Sequence, residues 1–121
     1  MWIYTVWGLV SIVAARRGED TEPDALVFRF RLEEHVNTFR ERFPELQAFP
    51  IWCTPESDYP YSLTVPKPLA VQIVRELVAE ITWTSFRSEA EQHVDETTPP
   101  YLNCLRDVWR VTGCMQPDEW E

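Results

Sequence analysis

The alternation of apolar and polar positions divides the chain into distinct segments. From Ala25 to Leu32 the residues alternate, with Leu26, Phe28, Phe30 and Leu32 on one side and Val27, Arg29 and Arg31 on the other. A period of two is that of a strand with one buried face. The next apolar positions, Leu32, Val36, Phe39, Phe43 and Leu46, recur every three or four residues. They form a helical stripe that leaves Glu33, Glu34, Asn37, Arg40 and Glu41 outside it. Pro44 ends or kinks this helix near Phe43.

Met1 to Val6 and Leu9 to Ala15 are rich in Trp, Tyr, Val and Ile and predict two strands, with Gly8 as a turn or bulge between them. "RGEDTEPD", with Gly18 and Pro23, is a polar turn region. "AFPIWCTPESDYP" carries three prolines and reads as a loop, with room for a short strand at Ile51 to Cys53. "YSLTV" alternates again, with Tyr61, Leu63 and Val65 against Ser62 and Thr64. Pro66 and Pro68 suit the first turn of a helix, and Val71, Val74, Leu77, Val78 and Ile81 form its stripe. Ser88 and Glu91 predict a capping box for a short helix to about Val94. Thr98 as N-cap, Pro99 at the first position, the stripe Leu102, Leu105, Val108, Trp109 and Thr112, and Gly113 as the stop define a last helix.

The order β-β-β-α-β-α-α-α predicts an α+β fold: a mixed four-stranded sheet with helices packed mainly on one face. The strand–helix–strand unit around Leu32 to Leu46 implies a right-handed crossover if its strands are parallel. Residues 1–113 form one domain, and 114–121 an acidic tail in which Trp120 is placed to dock.

Composition narrows the function classes. The 121 residues are 45% hydrophobic, enough for an ordered core. Net charge is −9, with Lys67 the single lysine beside ten arginines. A nucleic-acid-binding face needs surplus positive charge to displace counterions, so neither direct nucleic-acid binding nor an anionic membrane is expected; a partner protein with a basic groove is. Cys53, Cys104 and Cys114 show no CxxC spacing and read as free thiols in a reducing cytoplasm. "MWIYTVWGLVSIVAA" is apolar, but its arginines follow the run rather than precede it, and the run is short for a bilayer span. It reads as strands, with a membrane tether as the alternative. With glycine only at positions 8, 18 and 113, neither a phosphate loop nor a dinucleotide fingerprint can be built. No cofactor, metal or catalytic residue is expected.

Several groups can still carry chemistry. Glu89, His93 and Glu96 fall at i, i+4 and i+7 on a helix, a spacing that can meet one cation, although such acidic faces are usually just solvated. Cys53, after Trp52 in a loop, is the best-placed thiol for a cysteine–histidine pair. Arg29 and Arg31 project from one strand face about 7 Å apart. Beside Ser62 and Thr64 on a neighbouring strand they would make a polar patch suited to phosphate or carboxylate; otherwise they pair with the chain's own surplus glutamates. In "SDYPY", Asp58 can cap a turn through its side chain. Pro60 belongs at a strand start, and Tyr59 and Tyr61 point to the same side if the strand already runs there. With Trp52 they would make an aromatic contact patch.

The order of these signals resembles that of a family of small bacterial proteins, mostly of unassigned function. The matching stretches are "MWIYT", "GLVSIV", "VFRFRLEEHVNTFRERFPEL", "DYPY", "VPK", "WTSFR" and the late Val108-Trp109. Departures from the family pattern are Ser62 in place of an arginine, Ser85-Phe86-Arg87 in place of Asn-Phe-Lys, and "CLRDVW" without the family's histidine. The resemblance implies a bacterial or mobile-element setting in the cytoplasm and supplies no activity.

The leading reading is a non-catalytic acidic binding protein that engages another protein through Trp52, Asp58, Tyr59 and Tyr61 and through Glu89, Glu91, Asp95 and Glu96. Its most concrete form is an inhibitor occupying the nucleic-acid groove of its partner, in the manner of a phage-type anti-defence protein. The alternative is a small-ligand or phosphate-binding domain, enzymatic or not, using Arg29, Arg31, Ser62 and Thr64 with Tyr59 or Tyr61 nearby.

Overall fold

The computed structural model describes residues 1–16, 24–93 and 99–117. The turn region around Gly18 and Pro23, together with Asp95, Glu96, Thr98 and Trp120, lies outside the described residues. Five strands, β1 (Trp2–Thr5), β2 (Gly8–Ala14), β3 (Ala25–Phe30), β4 (Trp52–Cys53) and β5 (Tyr61–Pro66), form one sheet in the order β1-β2-β3-β5-β4. The α-helices are α1 (Glu33–Arg42), α2 (Lys67–Ala79), α3 (Phe86–His93) and α4 (Pro99–Gly113), and a 3-10 turn at Pro44–Ala48 follows α1.

The α+β class holds, but the sheet is not a mixed one of four strands: it has five, and every neighbouring pair is antiparallel. The reason lies in the connection from β3 to β5. Phe30 pairs with Tyr61 and Ala25 with Pro66, so the chain leaves and re-enters the sheet at the same end, and no parallel crossover forms. The extra strand is only two residues long. Pro50 and Pro55 flank it and cannot donate to a ladder, which confines it to the edge.

The core lies on one face of the sheet. Val10, Ile12, Phe28, Phe30, Leu63 and Val65 point there and meet Val36, Phe39, Phe43 and Leu46 from the α1 region, with Ala70, Ile73 and Leu77 from α2. The α1 stripe is the one expected. The α2 stripe is turned: Ala70 and Ile73 are buried, whereas Val71, Val78 and Ile81 are exposed. Leu69, Ala70, Ile73, Val74 and Leu77 are the inward residues, a pattern with equally good helical spacing in which alanine counts little by hydrophobicity. Ser88 is not the cap of α3; its N–H is accepted by the Ser85 hydroxyl at 3.3 Å.

Helices also cover part of the opposite face. Tyr4 and Leu9 are cross-strand partners on the side away from Val10, and they pack with Phe86, Ala90, Tyr101, Leu102 and Leu105 of α3 and α4. Helices on both faces replace the expected single layer. Trp2–Thr5 and Gly8–Ala14 are sheet strands, and among the described residues no helix is long and apolar enough to cross a membrane.

The β1–β2 hairpin is where the two helical layers are joined. The Thr5 hydroxyl donates to the Gly8 carbonyl at 2.8 Å and accepts the Trp7 N–H at 3.0 Å. From α4, the Tyr101 hydroxyl donates to the Thr5 carbonyl at 2.6 Å; burial holds this phenol far above the ordinary tyrosine value. From α1, His35 Nδ1 accepts the Leu9 N–H at 3.2 Å, and the His35 ring stands edge to face with Tyr101 at 4.6 Å. The Trp7 indole N–H donates to Glu80 at 2.7 Å, and Arg42 holds the other oxygen of that carboxylate at 2.7 Å.

Gly8 is required twice over. Its φ is +134°, and a Cβ there would lie 2.4 Å from His35 Cγ. Gly8→Ala is expected to cost about 2–4 kcal/mol, from backbone strain plus overpacking, read as a lowered midpoint in urea denaturation.

His35 is a buried titratable group. With Nδ1 accepting, the neutral ring carries its proton on Nε2, which is buried with no partner among the described residues. Burial pushes the imidazole down from 6.5 to about 4. The folded state therefore binds fewer protons than the unfolded one between these values. The stability due to neutral His35 is present above about 6.5, declines as the pH falls and is gone below about 4, a loss on the order of 3 kcal/mol. His35→Asn keeps an acceptor but cannot titrate. Denaturation midpoints measured from pH 7 to pH 4 should fall more steeply for the native chain than for this variant.

Candidate functional site

Beyond the reach of α4 the second face of the sheet is open. Alternation places Ser11, Arg29 and Ser62 on it, and the register aligns Trp2, Ser11, Arg29, Ser62 and Trp52 in one transverse row across all five strands. Arg29 stands at the middle of this row. It lies across the buried Ser11, whose hydroxyl accepts from Nε at 3.2 Å and from Nη2 at 2.7 Å. A larger residue at position 11 would lift the guanidinium off the sheet.

The Thr54–Pro60 loop folds over the same place. It is closed by the Thr54 N–H on the Pro60 carbonyl at 2.8 Å and by the Tyr59 N–H on the Ser57 hydroxyl at 3.1 Å. Ser57, not Asp58, supplies the side chain of this turn. Asp58 acts through its main chain, its carbonyl accepting from Arg31 Nη1 at 3.1 Å. The Tyr59 ring then covers both cations: Arg29 Cζ is 4.2 Å and Arg31 Cζ 4.7 Å from its centroid. An aromatic face over a guanidinium is attractive and fixes the plane of the fork.

Tyr61 does not join Tyr59. The strand begins at Tyr61, so the alternation that places Leu63 and Val65 in the core takes Tyr61 to the same side. Trp52 is 60% exposed and stays on the open face, paired through its main chain with Ser62. The sheet thus brings together Trp52, Tyr59, Arg29 and Arg31 and sends Tyr61 elsewhere.

Among the described residues, neither Arg29 nor Arg31 has a carboxylate partner, although the chain carries 20 acidic residues. The expected pairing with surplus glutamates is not what holds them. Their partners are a hydroxyl, a carbonyl and an aromatic ring, none of which neutralises a cation. Beside Arg29 the face dips into a trough of about 620 Å³ floored by Val13 and Val27, with Trp52, Ser62 and Thr64 on one side and Arg16 at the rim. Among the described residues no carboxylate lines it. Arg16 and Ser11 were not among the residues singled out from the sequence. Ser11 had a visible signal, a lone hydroxyl within the apolar β2; Arg16 had none.

The acidic candidates lie apart from this face. On α3, Glu89 contacts His93 at 3.1 Å, and Glu91 lies 3.8 Å from Arg87 and 4.0 Å from Arg106. Among the described residues no three His, Cys, Asp or Glu side chains gather as a metal site. A second concavity of about 760 Å³, between Trp2, Tyr4 and α4, is mainly apolar, and among the described residues Asp107 is its one charged wall residue. Converging polar groups mark a ligand site better than volume does, and the trough has them.

No family model matches the chain, and neither a curated protein nor a solved structure is found to match it.

The contact of Tyr59 with the two arginines predicts a separable effect. Its hydroxyl has no hydrogen-bond partner among the described residues, whereas its ring carries both cation contacts. Tyr59→Phe should leave stability within about 0.5 kcal/mol, and Tyr59→Leu should lower it by about 1 kcal/mol, compared in urea denaturation.

Proposed function

We propose that the chain is a binding protein that takes an anionic small ligand, a phosphate or carboxylate compound, on the open face of its sheet. The observation that carries this reading is an arginine held without a counter-charge. Arg29 is oriented by Ser11 and Tyr59 and, among the described residues, has no carboxylate beside it, in a chain of net charge −9. Its Nε–Nη2 edge is used by Ser11, which leaves the Nη1–Nη2 edge for a ligand. A guanidinium already fixed in plane loses little freedom on forming a two-pronged contact with an anion. The Ser62 and Thr64 hydroxyls, without partners among the described residues, add neutral donors beside it.

The reading in which acidic surface engages a basic groove draws less support. Glu91 sits between two arginines and Glu89 against His93, so part of that charge is already answered within the chain.

The test is thermal unfolding in phosphate against chloride at matched ionic strength. Phosphate also stabilises proteins generally by exclusion from their surface, so the decisive quantity is the difference between the native chain and Arg29→Gln. A specific site raises the native chain's Tm as ligand exceeds its Kd, by about 2.7 kcal/mol of added stability at a hundredfold excess. The extra shift should vanish in Arg29→Gln. Equal shifts in both proteins would remove the reading.

A further inference from the structure

Resting on that anion-binding reading, we infer that the trough is built for a nucleoside monophosphate, with the base stacked on Trp52 and the phosphate on Arg29 and Arg16. A bare anion would need only the arginines and hydroxyls. Trp52 is the unexplained part. It is 60% exposed, yet it is set in place by the pairing of β4 with β5 and lines the same trough as Arg29. Among the described residues its indole contacts no other ring and no cation, so one aromatic face is free for a planar partner. Stacking on such a face accepts any base.

The spacing suits this class. Trp52 and Arg29 occupy one transverse row with Ser62 between them, so their Cα atoms lie two strand spacings apart, roughly 10 Å. Both residues line the trough, with the Arg29 guanidinium on its Ser11 side, away from Trp52. The trough of about 620 Å³ has room for a pentose between a stacked base and its phosphate, and Ser62 and Thr64 line it where sugar hydroxyls would pass. The apolar floor of Val13 and Val27 accepts the sugar's carbon face.

Charge limits the ligand's size. The trough offers two guanidinium groups and, with three glycines in the whole chain, no glycine-rich loop to cradle a second or third phosphate. A long polynucleotide would lay further phosphates along a protein of net charge −9, against the counterion gain that drives such binding. One base and one phosphate fit both limits.

The experiment is isothermal titration of the full chain, at low salt, with adenosine and uridine monophosphates, the matching nucleosides, ribose 5-phosphate and inorganic phosphate. The monophosphates should bind at least about tenfold more tightly than ribose 5-phosphate, the ratio expected of one base–aromatic stack. Trp52→Leu keeps an apolar side chain on the strand; it should erase that ratio while ribose 5-phosphate binding persists, with an unchanged circular dichroism spectrum. Equal affinity for ribose 5-phosphate and the monophosphates, or a ratio that survives Trp52→Leu, would overturn the nucleotide assignment and leave the anion site standing. Absence of binding by every phosphate compound would overturn both. A short oligonucleotide binding more tightly than any mononucleotide would replace the proposed ligand with a polymer.

Discussion

Two helical layers on opposite faces of the sheet are joined at a single tight hairpin. His35 from α1 accepts the Leu9 N–H, and Tyr101 from α4 donates to the Thr5 carbonyl. The two rings meet edge to face beside Gly8, where no other residue fits. Each bond is ordinary in strength, but together they fix where α4 begins. From Tyr101 the helix runs over Tyr4 and Leu9, and among the described residues no helix covers this face of β3, β5 and β4. The open trough is therefore a consequence of this anchoring: the described helices cover one face of the sheet and part of the other.

An uncovered sheet face must be wettable, and here the wetting groups are unusual. A solvent-facing strand position in an acidic protein would ordinarily place its arginines against glutamates. Arg29 and Arg31 are instead gathered under Tyr59, and no carboxylate among the described residues pairs with them. The loop that carries Tyr59 is held by its own main chain and by Ser57, so the ring does not depend on a ligand for its position. Preorganisation of this kind lowers the entropic cost of binding. The exposed Trp52, on a two-residue strand between prolines, is placed by the same economy of main-chain bonds.

Much of this was legible in the sequence, for stated reasons. The alternation from Leu26 to Phe30 and the stripe from Val36 to Leu46 each have one dominant phase, and the apolar side chains of that phase face the core. The strand stops short of Leu32, which precedes α1. Arg29 and Ser62 could be placed on one face because both lie in alternating runs. The stripe of α2 has two phases of similar quality, and the one using Ala70 and Ile73 prevails because the sheet surface admits small and branched residues there. The sides of Tyr59 and Tyr61 were not legible, because the period of two starts only after Pro60. His35 gave no signal: it neighbours Val36 at the margin of the α1 stripe, and its role depends on Leu9 and Tyr101, far from it in sequence. The antiparallel sheet was hidden for a similar reason, since strand–helix–strand order alone does not say at which end the chain returns.

The central claim is that the open face between β3 and β4 is the binding surface, and it can be mapped directly. In a two-dimensional NMR titration of the isotopically labelled chain with a nucleoside monophosphate, the account predicts saturable shifts of the Trp52 indole N–H and of the amides at Val27 to Arg29 and Ser62 to Thr64, with α4 unmoved. Shifts confined to α4 and Trp2, or none at millimolar ligand, would contradict it.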